Sequence, residues 1–87
     1  MATSHVFDTY AKSAKGITLH FDVLLEKKDP DSALSAAKKW LASIDEPDAS
    51  VTQENCVFCH TAETPDDLLQ QIKNQGYAIY PMEGCPR

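Results

Sequence analysis

The stretch Ile17-Thr18-Leu19-His20-Phe21-Asp22-Val23-Leu24-Leu25 decides the fold. Ile17, Leu19, Phe21, Val23 and Leu25 fall on one face, and Thr18, His20, Asp22 and Leu24 on the other. Alternation with period two over 17–25 is the signature of a strand. One face is to be covered and the other left more polar.

Upstream, Ser-His-Val-Phe-Asp-Thr-Tyr-Ala at 4–11 is rich in β-branched and aromatic types and contains no breaker. It reads as a second strand. The polar connection 12–16 ends in Gly16, as a hairpin loop does, so 5–10 and 17–25 are expected to pair antiparallel. Downstream, Asp29-Pro30-Asp31 opens a helix: Asp29 can cap, Pro30 suits the first helical position, and Asp31 complements the positive end of the dipole. Ala33, Ala37, Trp40, Leu41 and Ile44 make its apolar stripe, and the 45–48 run stops it. Val51 and Thr52 suggest a short strand over 49–55, leading into a loop at Cys56-Val57-Phe58-Cys59-His60. Thr64-Pro65 starts a second helix with Thr64 as cap, Leu68, Leu69 and Ile72 on its buried face, and Gly76 at its end. A last strand runs over 77–82, with Pro81 restricting it to an edge or a strand end. The order is ββαβαβ. The expected fold class is α+β, a single two-layer domain over 1–87 with a four-stranded mixed sheet and two helices on one face.

Composition narrows function. An unfolded chain of 9.6 kDa exposes roughly 13,900 Å² and a folded one about 5,100 Å², so only ~63% can be buried. One thin core is possible and a large enclosed substrate chamber is not. The net charge is −5, carried unevenly: +1 over residues 1–44 and −6 over 45–87. Nucleic acid and anionic lipid reward clustered Lys and Arg. Only Lys27-Lys28 and Lys38-Lys39 pair, so neither nucleic acid nor a membrane is an expected partner. No apolar run approaches the ~20 residues that span a bilayer. The N-terminal Met-Ala-Thr-Ser-His has no basic and long apolar leader pattern, so a cytoplasmic location is expected.

Cys56-x-x-Cys59-His60 carries the most chemical information. It matches the c-type haem attachment pattern, with Met82 available as a distal ligand. The thin core leaves little to wrap a porphyrin, and no haem is expected. Two thiolates two residues apart on a tight loop can both reach one Zn²⁺. Cys85 is a candidate third ligand, and His60 or His20 a candidate fourth. The helix before Gly76 runs ~17 Å and the strand after it returns ~20 Å, which would carry Cys85 back beside the pair. Dithiol redox chemistry needs a lowered thiol pKa, and the surrounding acids push thiols the other way. The remaining reading is that the cysteines only pack. His20 and Asp22 share the polar sheet face, and His5 and Asp8 lie on the partner strand. Carboxylate–histidine pairs serve acid–base chemistry or orient a metal ligand. There is no nucleophile elbow, and three glycines leave little for a phosphate-cradling loop.

Four blocks together resemble a known family. His5-Val6-Phe7-Asp8-Thr9-Tyr10, His20-Phe21-Asp22-Val23, Val51-Thr52-Gln53-Glu54 with Cys56-x-Phe58-Cys59-His60, and Gly76-Tyr77-x-Ile79-Tyr80-x-Met82-Glu83-Gly84-Cys85 look like small bacterial proteins grouped as domain of unknown function twenty-twenty-four. The resemblance implies a compact α+β domain and no established activity. Its blocks fall on His20, Asp22, Cys56, Cys59, His60 and Cys85, which implies that these residues form one site.

The expectation from the sequence is a small cytosolic binding or regulatory protein, rather than an enzyme, with a Cys/His zinc site drawn from Cys56, Cys59, His60, Cys85 and His20. The alternatives are a thiol-dependent redox or catalytic protein using Cys56 and Cys59, and a structural partner-binding domain whose cysteines only pack; in each case a monomer or homodimer is expected. Its partner would be a protein or a small ligand.

Overall fold

The structure, a computed structural model, describes residues 3–82. Strands β1 (Thr3–Lys12) and β2 (Thr18–Leu25) form the hairpin, followed by helix α1 (Pro30–Ser43). A 3-10 turn at Gln53–Asn55 leads into β3 (Cys56–Glu63), then α2 (Asp66–Gln75) and β4 (Ala78–Pro81). The fold is α+β in the order ββαβαβ, with strands arranged β3-β1-β2-β4.

The sheet is antiparallel throughout rather than mixed. β2 and β3 run the same way, but β1 lies between them. Each strand that follows a helix is therefore added at an outer edge, antiparallel to the hairpin strand it meets.

The hairpin register sets two faces. Phe7 pairs with Val23 and Thr9 with Phe21 on one; Val6 pairs with Leu24 and Asp8 with Asp22 on the other. The first face carries the main core: Phe7, Ala11, Leu19, Phe21, Val23, Leu25 and Ile79 beneath Ala33, Ala36, Ala37 and Leu41 of α1. The alanines let the helix approach closely, and the Trp40 ring lies 4.6 Å from that of Phe21. Asp29 caps α1, its carboxylate accepting from the Asp31 amide at 3.1 Å and the Ser32 hydroxyl at 2.8 Å.

The second face holds a smaller cluster of Val6, Leu24 and Ala78 under Leu68 and Ile72 of α2. The two helices thus sit on opposite faces of the sheet, not on one. Leu24, the apolar exception on an otherwise polar face, is the side chain α2 covers. The chain leaves β3 at one edge and enters β4 at the other, so α2 must cross the sheet. Ten residues of helix span about 15 Å, close to the ~14 Å across four strands. One short helix covers only one end of that face.

Three local expectations change. Ile17 is 51% exposed, because alternation continues one residue past the strand into the hairpin loop. The 49–55 segment forms only a bridge from Ser50 to Lys12 and the 3-10 turn. Thr64 does not cap α2; its hydroxyl donates to Ser4 Oγ at 2.8 Å, and the cap residue is Pro65.

Gly76 ends α2 at φ 89°, left-handed backbone that suits glycine. A Cβ there would meet nothing within 4 Å, so the penalty for Gly76→Ala is conformational alone. It should lower stability by about 1 kcal/mol in urea denaturation; an unchanged midpoint would refute this.

Candidate functional site

The end of the second face that α2 leaves open is built from successive cross-strand rows. One row runs Val57, Asp8, Asp22, Tyr80 across all four strands. The next pairs Tyr10 with His20, whose carbonyl accepts from the Met82 amide at 2.9 Å. Val57 and Tyr80 are 54% and 53% exposed. The centre is thus acidic and its ends are apolar.

Asp8, His20 and Asp22 each present a ligand atom, all within 4.8 Å of one another. It is the group of this kind among the described residues. His20 Nε2–H donates to Asp8 Oδ1 at 2.5 Å, and the imidazole stacks on the Tyr10 ring at 4.2 Å and 11°. All three side chains are half-buried. Burial pushes the Asp22 carboxyl above its ordinary range, and the Asp8 charge adds to that; His20 and His60 pull it back down. Like charges directly opposite in a sheet are destabilising, and here they lie on the two central strands. A cation between them would remove that cost.

The cysteine motif is not a loop. Residues 56–60 belong to β3, and strand alternation separates the residues expected to meet. Cys56 is buried in the core on the α1 side, where the Thr9 hydroxyl lies 3.4 Å from its Sγ and 3.1 Å from the Phe7 carbonyl. Burial pushes the Cys56 thiol up, the reverse of what a redox or ligand thiolate needs. His20 is on the opposite face. Cys59 is exposed. Three residues of strand place Cys56 and Cys59 about 10 Å apart, beyond the ~7 Å limit for a disulfide. His60 pairs with Val6 and is exposed on the His20 side. Cys85, and with it the proposed convergence of three sulfurs, lies outside the described residues.

Of the five expected ligands, His20 and His60 therefore share a face. The sequence places His20 and Asp22 on one polar face and His5 and Asp8 on the partner strand, but it does not single out Asp8, because the Asp8–Asp22 pairing depends on hairpin register. A cleft lined by Thr3, Glu26, Leu69, Ile72 and Lys73 brings together no comparable group. Among the described residues, no helix is long and apolar enough to cross a membrane.

Residues 2–82 match the sequence model of a family described as "Domain of unknown function (DUF2024)". The NMR structure of protein NE1680 from Nitrosomonas europaea is similar, at 48% identity and a TM-score of 0.85, covering 97% of this chain and 99% of that one. No curated protein matches.

Proposed function

The chain belongs to the DUF2024 family, and from that premise and the site above we propose that it is a small metal-binding module that holds one divalent first-row ion, Zn²⁺ foremost, on Asp8, His20 and Asp22. The observation that carries this reading is the convergence of one imidazole and two carboxylates on rigid central strands. Mixed imidazole and carboxylate donors suit Zn²⁺, Fe²⁺ and Mn²⁺. At ligand distances of ~2.1 Å two donors on one ion lie at most ~4.2 Å apart, so small side-chain rotations close the site. The ion would replace the proton that His20 Nε2 now donates to Asp8, and Asp8 and Asp22 together would neutralise its charge.

Calorimetric titration of protein purified without a His tag should show one Zn²⁺ per chain, with protons released on binding and affinity falling in acid. His20→Ala should weaken binding more than the ~10–100-fold typical of losing an outer partner of a ligand, while Cys56→Ala should leave it nearly unchanged. Binding lost in Cys56→Ala or Cys59→Ala but retained in His20→Ala would overturn the reading and restore a cysteine site.

A further inference from the structure

We infer that the cleft between α2 and the strand ends of the hairpin binds a small zwitterion with an apolar body, of the class of the branched-chain α-amino acids. The inference goes beyond the metal reading and does not depend on it. Thr3 is five residues along β1 from Asp8, and Glu26 four residues beyond Asp22, which puts the cleft ~13–17 Å along the strands from the carboxylate pair.

The lining carries the argument. The cleft has a volume of about 390 Å³, within the range of small-ligand sites. Its apolar wall is Leu69 and Ile72 of α2. Ile72 also belongs to the cluster that docks α2 on Val6 and Leu24, so this wall is fixed to the sheet. Two charges of opposite sign line the cleft as well: Glu26, directly after β2, and Lys73, one turn beyond Leu69 on α2. Both are exposed, and they do not pair with each other; among the described residues the ion pair formed is that of His20 with Asp8. Thr3 adds a hydroxyl, which both donates and accepts.

Such a lining selects by charge. A lone cation would meet Glu26 but bring like charge to Lys73, and a lone anion would do the reverse. A molecule with an ammonium and a carboxylate on one carbon answers both. The Glu26 and Lys73 stems are flexible, so their charged ends can close on the two groups while the Lys73 methylenes stay on apolar surface. A branched aliphatic side chain then covers Leu69 and Ile72 and removes them from water.

The full chain, labelled with ¹⁵N, would be titrated with L-leucine in EDTA, which keeps divalent ions from bridging protein and amino acid. Saturable shifts are expected at the amides of Glu26 and of Leu69 to Lys73, with a Kd on the order of 1 mM. Glycine, which lacks the apolar branch, should bind at least about 10-fold more weakly. Isopentylamine and 4-methylpentanoate each lack one charge and should bind about 3–5-fold more weakly than leucine, the share that exposed charges keep. Lys73→Gln should weaken leucine to the same extent and leave isopentylamine no weaker. Glu26→Gln should do the same with 4-methylpentanoate as the unaffected ligand. Three results would overturn the inference: no saturable shift at these amides, glycine binding as tightly as leucine, or variants that weaken leucine and the matching analogue equally. None of them bears on Zn²⁺, whose binding the calorimetric titration reads without amino acid.

Discussion

Phe21→Ala will lower the stability of the domain by about 3–5 kcal/mol, the usual range for a buried phenylalanine. The side chain is 0% exposed at the centre of β2. It touches the Trp40 ring and lies in the cluster that joins α1 to the sheet. An 87-residue domain has roughly 4–13 kcal/mol in total, at about 0.05–0.15 per residue. The substitution therefore removes a large share of the whole and can unfold the chain at room temperature. Phe21→Leu, which keeps most of the volume, should cost roughly 1–2 kcal/mol and stay measurable in urea. A loss below about 1 kcal/mol for the alanine variant would mean that α1 does not close over this face.

Asp22→Asn should separate function from stability by moving them in opposite directions. Metal affinity should fall by more than about 10–100-fold, since a ligand is lost rather than an outer partner. The metal-free protein should become more stable near neutral pH, by a few tenths up to about 1 kcal/mol once solvent screening is allowed for. The sign follows from the raised Asp22 pKa. Burial first, and Asp8 second, make the folded state hold this proton more tightly than the unfolded chain, whose ordinary value is 3.8. The favourable contribution is complete below that value and is lost as pH rises through the raised folded pKa. The advantage of the asparagine variant should accordingly grow with pH across that window and then level off. Denaturation midpoints measured from pH 3 to 7 without metal would show this. A variant less stable than wild type at neutral pH would identify Asp22 as a structural ion-pair partner instead.

The hairpin and first helix were legible because their physics is local. Alternation over 17–25 placed Leu19, Phe21, Val23 and Leu25 on the covered face, and all four are buried. Asp29-Pro30 marked the start of α1 for the same reason. Gly76 marked the end of α2, as its positive φ requires. β3 was illegible because it is a largely exposed edge strand, so no buried face imposes period two on its residues. Its Cys-x-x-Cys spacing suggested a metal loop, whereas the β3 bulge at Cys59 leaves no trace in spacing at all. The sides chosen by the helices also escaped the sequence reading, since Leu24 alone signalled a second apolar patch. Of the candidate site, His20 and Asp22 were visible as neighbours on one strand. Their meeting with Asp8 was not, because a one-residue change in hairpin register would have turned Asp8 to the other face.

The central place of β1 governs the order in which the protein can be made. Val6 meets Leu24 after 18 residues but His60 only after 54. On the ribosome the hairpin and α1 are complete while the far edge of β1 still waits for β3. For that interval the nascent chain carries a bare strand edge beside Val6 and Phe7, the kind of edge that templates pairing with another chain. Asp8 lies in the middle of that edge, with Asp22 directly across from it. A second nascent hairpin docking in the same register would bring further carboxylates against this pair, and like charge would turn it away. That edge is closed only when β3 pairs along it, from Glu63 opposite Thr3 to Cys56 opposite Thr9.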